Sequence, residues 1–167
     1  METFPELHTE RLTLRGMDST DADGYAELLS DPGTHPFITE SGPVPVREIP
    51  DRIRRNRHAF QARSHLYWSI EWSGEFVGYV ALHDAWSPRP VLSYAIRPAW
   101  RRRGVAAEAL RAVCRHAFAV LEVRHLIART HERNVPSAQL LLGLGFRESA
   151  SVVTPQGPRR EFELSAR

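Results

Sequence analysis

Residues Pro98–Leu110 read PAWRRRGVAAEAL, and the rest of the chain is best understood outward from them. The apolar segment Val91–Ile96 (VLSYAI) runs into this stretch. An arginine-rich turn follows, then Gly104, then an alanine-rich run with helical periodicity. Strand, glycine turn and helix start, in that order, build an anion site. The first amides of a helix have no intrahelical partner, and the helix dipole places partial positive charge there. Glycine lets the backbone approach a phosphate because no Cβ intervenes. Arg101, Arg102 and Arg103 add fixed cationic charge at the same point. The pattern implies pyrophosphate binding. It is neither a Walker loop, which needs a lysine this chain lacks, nor a dinucleotide fingerprint, which needs three glycines where only Gly104 stands.

Composition narrows the class. With 167 residues, 42% hydrophobic and 25% charged, the chain is expected to form one domain over residues 1–167 with a sizeable core. No apolar run approaches the roughly twenty residues that span a bilayer. The N-terminus lacks a signal-peptide core, so no membrane partner and a cytoplasmic location are expected. Cys114 is the single cysteine, which fits a reducing compartment, and it reads as a small buried helix residue. All basic residues other than histidine are arginine, a bias of composition before it is a functional device. The run Arg52-Ile53-Arg54-Arg55-Asn56-Arg57 reads as a solvated helix face with Ile53 and Phe60 turned inward. No nucleic-acid partner is expected from it, and no metal site is expected anywhere.

Secondary structure follows from period and punctuation. Arg11–Arg15 alternates as a strand; a helix capped at Asp18 or Ser19 runs to about Ser30, where Asp31-Pro32-Gly33 stops it. Residues 31–50 read as a loop long enough to be a substrate lid, anchored by Phe37 and Ile38. His35, Glu40 and Arg47 are its polar candidates for acceptor recognition. A second helix is predicted over about 47–63. Two strands, Leu66–Trp72 and Glu75–His83, join at Ser73-Gly74, and Val91–Ile96 follows. The helix after Gly104 carries the stripe Leu110, Val113, Ala117, Leu121. Then come a strand over 124–130, a helix over 137–142 closed by Gly143 or Gly145, and strands over 146–154 and 161–164 around Pro155-Gln156-Gly157-Pro158. The prediction is an α/β (α+β) domain: one mixed sheet of six to seven strands with about four helices.

Arg101-Arg102-Arg103-Gly104-Val105-Ala106 closely resembles the [Q/R]-x-x-G-x-[G/A] signature of GNAT-fold N-acetyltransferases, and the element order resembles that fold over nearly the whole chain. Three further segments resemble its ribosomal-protein N-terminal (RimJ/RimL-like) branch. They are the opening Thr9–Arg15 (TERLTLR), Tyr94–Pro98 (YAIRP), and Asn134-Val135-Pro136-Ser137 followed by Leu144-Gly145-Phe146. Taken singly, Tyr94 reads as a core aromatic, Asn134 as a helix cap and Ser137 as an early helix residue.

The resemblance implies acetyl-CoA as acetyl donor, a primary amine as acceptor, and a monomer or homodimer. Tyr94, Ala95 and Ile96 then offer backbone to the pantetheine arm on a strand that splays from its neighbour, with an amide available as oxyanion donor. Arg101 through Ala107 (Arg101, Arg102, Arg103, Gly104, Val105, Ala106, Ala107) hold the pyrophosphate, and Asn134 bonds the arm. Many relatives place a tyrosine acid seven residues after the asparagine, where this chain has Leu141; Ser137 becomes the candidate proton donor. Glu71, His83 and Asp84 are possible general bases, and none is assigned. A longer-chain N-acyltransferase and a non-catalytic CoA-binding module are the alternatives.

Overall fold

The computed structural model describes residues 2–38 and 42–167; Glu40 lies outside them. Strands β1 (Leu7–His8) and β2 (Leu12–Gly16) open the chain. Asp18 caps a short 3-10 turn, its carboxylate accepting from Thr20 N at 2.8 Å, and the chain continues into α1 (Ala22–Ser30). Helix α2 (His35–Ile38) is a single turn. Helix α3 (Ile49–Gln61) carries Pro50 in its first turn, where a missing amide forfeits no bond. Strands β3 (Leu66–Trp72) and β4 (Glu75–His83) meet at Ser73 and Gly74, both left-handed at φ 50 and φ 80, as a tight hairpin requires. Then follow β5 (Val91–Ile96), α4 (Val105–Ala119), β6 (His125–His131), α5 (Val135–Gly143), β7 (Arg147–Thr154) and β8 (Gly157–Ser165).

Among the described residues eight strands form one mixed sheet in the order β1-β2-β3-β4-β5-β6-β8-β7, with only β5 and β6 parallel. The expected fold class holds, with eight strands where six to seven were predicted and five α-helices where four were. The two additions are too short for periodicity to reveal. Strand β1 rests on two pairs, Leu7 with Leu14 and His8 with Thr13, and α2 interrupts what read as loop. The last strand also begins earlier than its apolar pattern does, because Gly157 and Pro158 pair with Thr154 and Val153 across the hairpin.

Helix α4 lays Leu110, Val113 and Ala117 on one face of the sheet against Leu14, Trp68, Ile70, Leu82, Leu126 and Phe162. Helices α1 and α3 cover the other face with Tyr25, Leu28, Leu29, Ile49 and Ile53 against Phe76, Tyr79 and Ala81. Strand β4 is thus enclosed on both sides, which explains its unbroken buried run from Phe76 to Leu82. Cys114 is buried, and burial pushes its thiol up to about 12, so it is an inert core residue.

One ionic knot lies under α1. Asp21, 1% exposed, takes both terminal nitrogens of Arg15 at 2.8 and 3.0 Å, the Ser69 hydroxyl at 2.6 Å and the Asp18 amide at 3.0 Å. Glu71 accepts from Arg15 Nε at 2.9 Å. The hydrogen bond to Asp21, opposed by partial burial, leads in raising the guanidinium's affinity for its proton. Removing one partner of such a buried pair leaves an uncompensated charge. Asp21→Ala is expected to lower stability by about 3–5 kcal/mol in urea denaturation. A loss below about 1 kcal/mol, the range of exposed pairs, would show that the knot holds little.

Candidate active site

Strands β5 and β6 pair only at Val91 with Ile127 and Leu92 with Ala128, although they continue to Ile96 and His131. Beyond Leu92, β5 stays on β4 as far as Ile96, while β6 pairs with β8. The backbone of residues 93–96 therefore has no partner strand on its β6 side, and such groups take water or a ligand. A groove of about 650 Å³ occupies the gap. Its walls are the end of β5, the turn into α4, the start of α5, and Gly33, Thr34, Phe37 and Ile38 from across the opening.

The turn is shaped by two left-handed residues, Arg102 at φ 61 and Gly104 at φ 77. Gly104 caps α4 without a side chain, so the amides of Val105, Ala106 and Ala107 remain unbonded within the helix at the groove wall. Arg11 Nη1 donates to the Arg103 carbonyl at 2.8 Å, holding the turn from behind. Glu108 accepts from Thr9 Oγ1 at 2.6 Å, Arg11 N at 2.9 Å and Arg11 Nε at 2.7 Å. Partial burial works against the charge of Glu108, and these bonds outweigh it, keeping its carboxyl below the ordinary range. Thr9 and Arg11 of the opening motif thus brace the anion turn.

On the facing wall, the Tyr94 and Ser137 hydroxyls share a hydrogen bond of 2.6 Å. Burial raises the Tyr94 pKa against a smaller opposing effect of Ser137, so the phenol stays protonated at neutral pH. Asn134 caps α5, its Oδ1 accepting from Ser137 N at 3.3 Å. Its cap role is real, and it lines the groove as well.

The family model for the acetyltransferase (GNAT) domain matches residues 11–147. The chain belongs to the GNAT acetyltransferase family. It is 28% identical over 167 residues to p20 of Bacillus licheniformis, an uncharacterized N-acetyltransferase, covering 98% of this chain and 88% of that one. Among solved structures, Mycobacterium smegmatis RimJ, in complex with CoA-disulfide, superposes with a TM-score of 0.84 at 20% identity, covering 99% of this chain and 88% of RimJ. RimL, a ribosomal L7/L12 α-N-protein acetyltransferase in complex with coenzyme A, gives 0.86 at 12% identity, covering 96% and 98%. These likenesses establish the GNAT fold.

In this acetyltransferase the groove gathers every cofactor residue expected from the sequence except Arg103, together with Ser137. Arg103 lays its guanidinium over the Trp100 ring, 5.0 Å from the centroid. Glu71 is committed to Arg15. His83 shares a 2.8 Å hydrogen bond with Ser93, and the exposed Asp84 donates its amide to His65 Nδ1 at 2.9 Å. Arg47 is exposed before α3, and of His35 only the backbone, in α2, is described. Among the described residues no group of three His, Cys, Asp or Glu is placed to hold a metal ion, and no helix is long and apolar enough to cross a membrane.

Thr34, Phe37, Trp100 and Arg133 also line the groove, although the sequence singled out only Phe37. Arg101 explains how the segment after α1 reaches it. Its Nε donates to the Ile96 carbonyl at 3.0 Å, and its Nη2 to Asp31 at 3.2 Å and to Thr34 Oγ1. One side chain ties the end of β5 to the residues before α2, and Phe37 meets His131 across the opening at 5.5 Å between rings. Arg101→Gln is expected to speed hydrogen exchange of residues 31–38 by about tenfold, as loss of about 1.5 kcal/mol of hydrogen bonding predicts. Unchanged protection would show that the apolar contacts alone hold the segment.

Proposed function

We propose that this acetyltransferase is an acetyl-CoA-dependent N-acetyltransferase, a single catalytic domain over residues 1–167, acting on a primary amine. One observation carries the reading: the unpaired backbone edge of β5 and the unbonded amides at the start of α4 open into the same groove. A pantetheine arm is a chain of amides that needs such an edge, and a pyrophosphate needs such amides with nearby positive charge. Arg102 and Arg133 supply that charge at the groove. The likeness to RimJ and RimL makes protein N-termini one acceptor class beside small amines.

Acetyl-CoA brings an activated thioester, so positioning the amine supplies much of the rate. The amine nitrogen forms a bond to the thioester carbonyl carbon. The carbon–sulfur bond breaks, and its electron pair leaves on sulfur. One proton leaves the nitrogen and one is needed by the thiolate. Residues Tyr94 and Ser137 form a neutral pair that donates on the groove side, with Ser137 handing its proton to the thiolate and Tyr94 replacing it. The proton shed by the amine nitrogen returns through solvent to the tyrosinate. This answers the weakness of an isolated serine hydroxyl as an acid, and it stands where the usual tyrosine is replaced by Leu141, which is fully buried. Amides of β5 are the oxyanion donors in this reading.

Two experiments test it. Gly104→Asp places a carboxylate among the turn amides and is expected to weaken acetyl-CoA binding by about tenfold or more in calorimetric titration. Gly145→Asp, equally left-handed at φ 96 and outside the groove lining, controls for backbone strain and should bind normally. Equal affinity of both variants and the parent would remove the pyrophosphate assignment. For the proton path, Ser137→Ala and Tyr94→Phe are each expected to lower kcat by about tenfold to a hundredfold, leaving acetyl-CoA affinity nearly unchanged. The double variant should lose little more than either single one, as groups acting in series do. An unchanged kcat would reduce the pair to an anchor for α5.

A further inference from the structure

Arg52 departs from the basic run around it. Arg54, Arg55 and Arg57 are exposed, whereas Arg52 is half-buried on the face of α3 that packs on the sheet beside Ile49 and Ile53. Its Nε is buried without a hydrogen-bond partner. None of its nitrogens makes an ion pair or hydrogen bond to a described residue. The contrast with other inward arginines is plain. Arg15 is saturated by Asp21 and Glu71, and Arg97, whose Nε is likewise buried without a partner, still reaches Glu27 and Glu75 through its terminal nitrogens.

Three tyrosines surround the same place: Tyr25 on α1, Tyr67 on β3 and Tyr79 on β4. The Tyr25 and Tyr79 rings stand edge to face at 5.9 Å. Burial leads in raising the Tyr67 and Tyr79 pKa values; Tyr25 adds to it in both and Arg52 opposes it in both. Ile49 and Ile53, which flank Arg52 on α3, pack in one apolar layer with Tyr25, Tyr79 and Tyr67, so the four residues share one neighbourhood. The three hydroxyls make no hydrogen bond to any described residue. Arg52 Nε, buried without a partner, is costly to leave unsatisfied, and three phenols stand on the same apolar layer.

These four residues adjoin the groove. Tyr79 is the cross-strand partner of Ala95, and Ala95 and Ile38 belong both to the apolar layer around the tyrosines and to the groove wall. A molecule held by them therefore lies against the stretch of β5 where the thioester is placed in the reading above, on which this inference rests. We propose that Arg52, with the hydroxyls of Tyr25, Tyr67 and Tyr79, binds a carboxylate borne by the amine acceptor. The guanidinium is a planar donor that matches a carboxylate with two parallel bonds, and phenols add single donors around it. Two sources carry that chemistry, a free amino acid and a peptide N-terminus with an acidic first side chain.

The test measures acetyl transfer to isosteric pairs. One arm sets alanine and glutamate against their α-amides; the other sets C-terminally amidated peptides beginning with Asp against those beginning with Asn. In at least one arm the carboxylate member is expected to be preferred by about tenfold or more in kcat/KM, and that arm names the source. Arg52→Gln should reduce the preference to within about twofold while acetyl-CoA affinity, read by calorimetry, is retained. Tyr67→Phe keeps the ring and removes one donor, and should raise the KM of the preferred acceptor about threefold. Equal use of acids and amides, a preference that survives Arg52→Gln, or no transfer in either arm by protein that binds acetyl-CoA would overturn the proposal. Failure of the parent protein to bind acetyl-CoA would instead bring down the acetyl-transfer reading, and this inference with it.

Discussion

The parting of β5 from β6 is the constraint on which the rest of the architecture turns. Two parallel strands gain a hydrogen bond with each residue they share, yet here they share two pairs and separate. The separation leaves backbone groups on an inner strand, a place where a folded protein normally leaves none. Several contacts stabilise it. Strand β5 is drawn hard against β4, so closely that a Cβ on Gly78 would stand 2.3 Å from the Ala95 carbonyl oxygen. Arg101 takes the Ile96 carbonyl, and the Tyr94–Ser137 bond fixes the start of α5 at the opening. The gap is thus held by side chains from both of its sides.

Arginine does most of this holding, in a chain that has no lysine. Arg11 supports the anion turn, Arg15 ties α1 to the sheet, Arg101 joins β5 to the segment before α2, and Arg103 lies on Trp100. Each task needs two or more directed donors, or a flat cation over a ring. A lysine ammonium supplies one compact charge and does neither well. What began as a compositional bias has been used structurally. Against that pattern Arg52 stands out, because it is half-buried, its Nε has no hydrogen-bond partner and it forms no ion pair with a described residue.

Much of the fold was legible in the residues. The bounds of β3, β4 and β5 coincide with their apolar runs, since Ser73-Gly74 and Pro88-Arg89-Pro90 punctuate them sharply. The helix after Gly104 declared itself by its stripe and by the glycine that caps it. What escaped was short or held by distant partners. Strand β1 has two residues, too few for alternation to show. Helix α2 follows a segment fixed by Arg101, whose contact with Thr34 spans 67 residues. The motif of Thr9 and Arg11 was visible, but not its purpose, because Glu108 and the Arg103 carbonyl come to it only when β2 packs beside α4.

The sequence by itself determined the order of the longer elements, the glycine at the anion turn and membership of the GNAT family, because each rests on local geometry or on short fixed spacings. It also brought the groove's principal residues into view. Only the tertiary structure decided that Ser137 has Tyr94 as its partner, that Arg103 stacks on Trp100, and that Arg52 is half-buried with an unpartnered Nε. Those facts depend on which faces of the sheet α3, α4 and α5 cover. Helical periodicity says that a face is buried, and packing alone decides what lies beneath it.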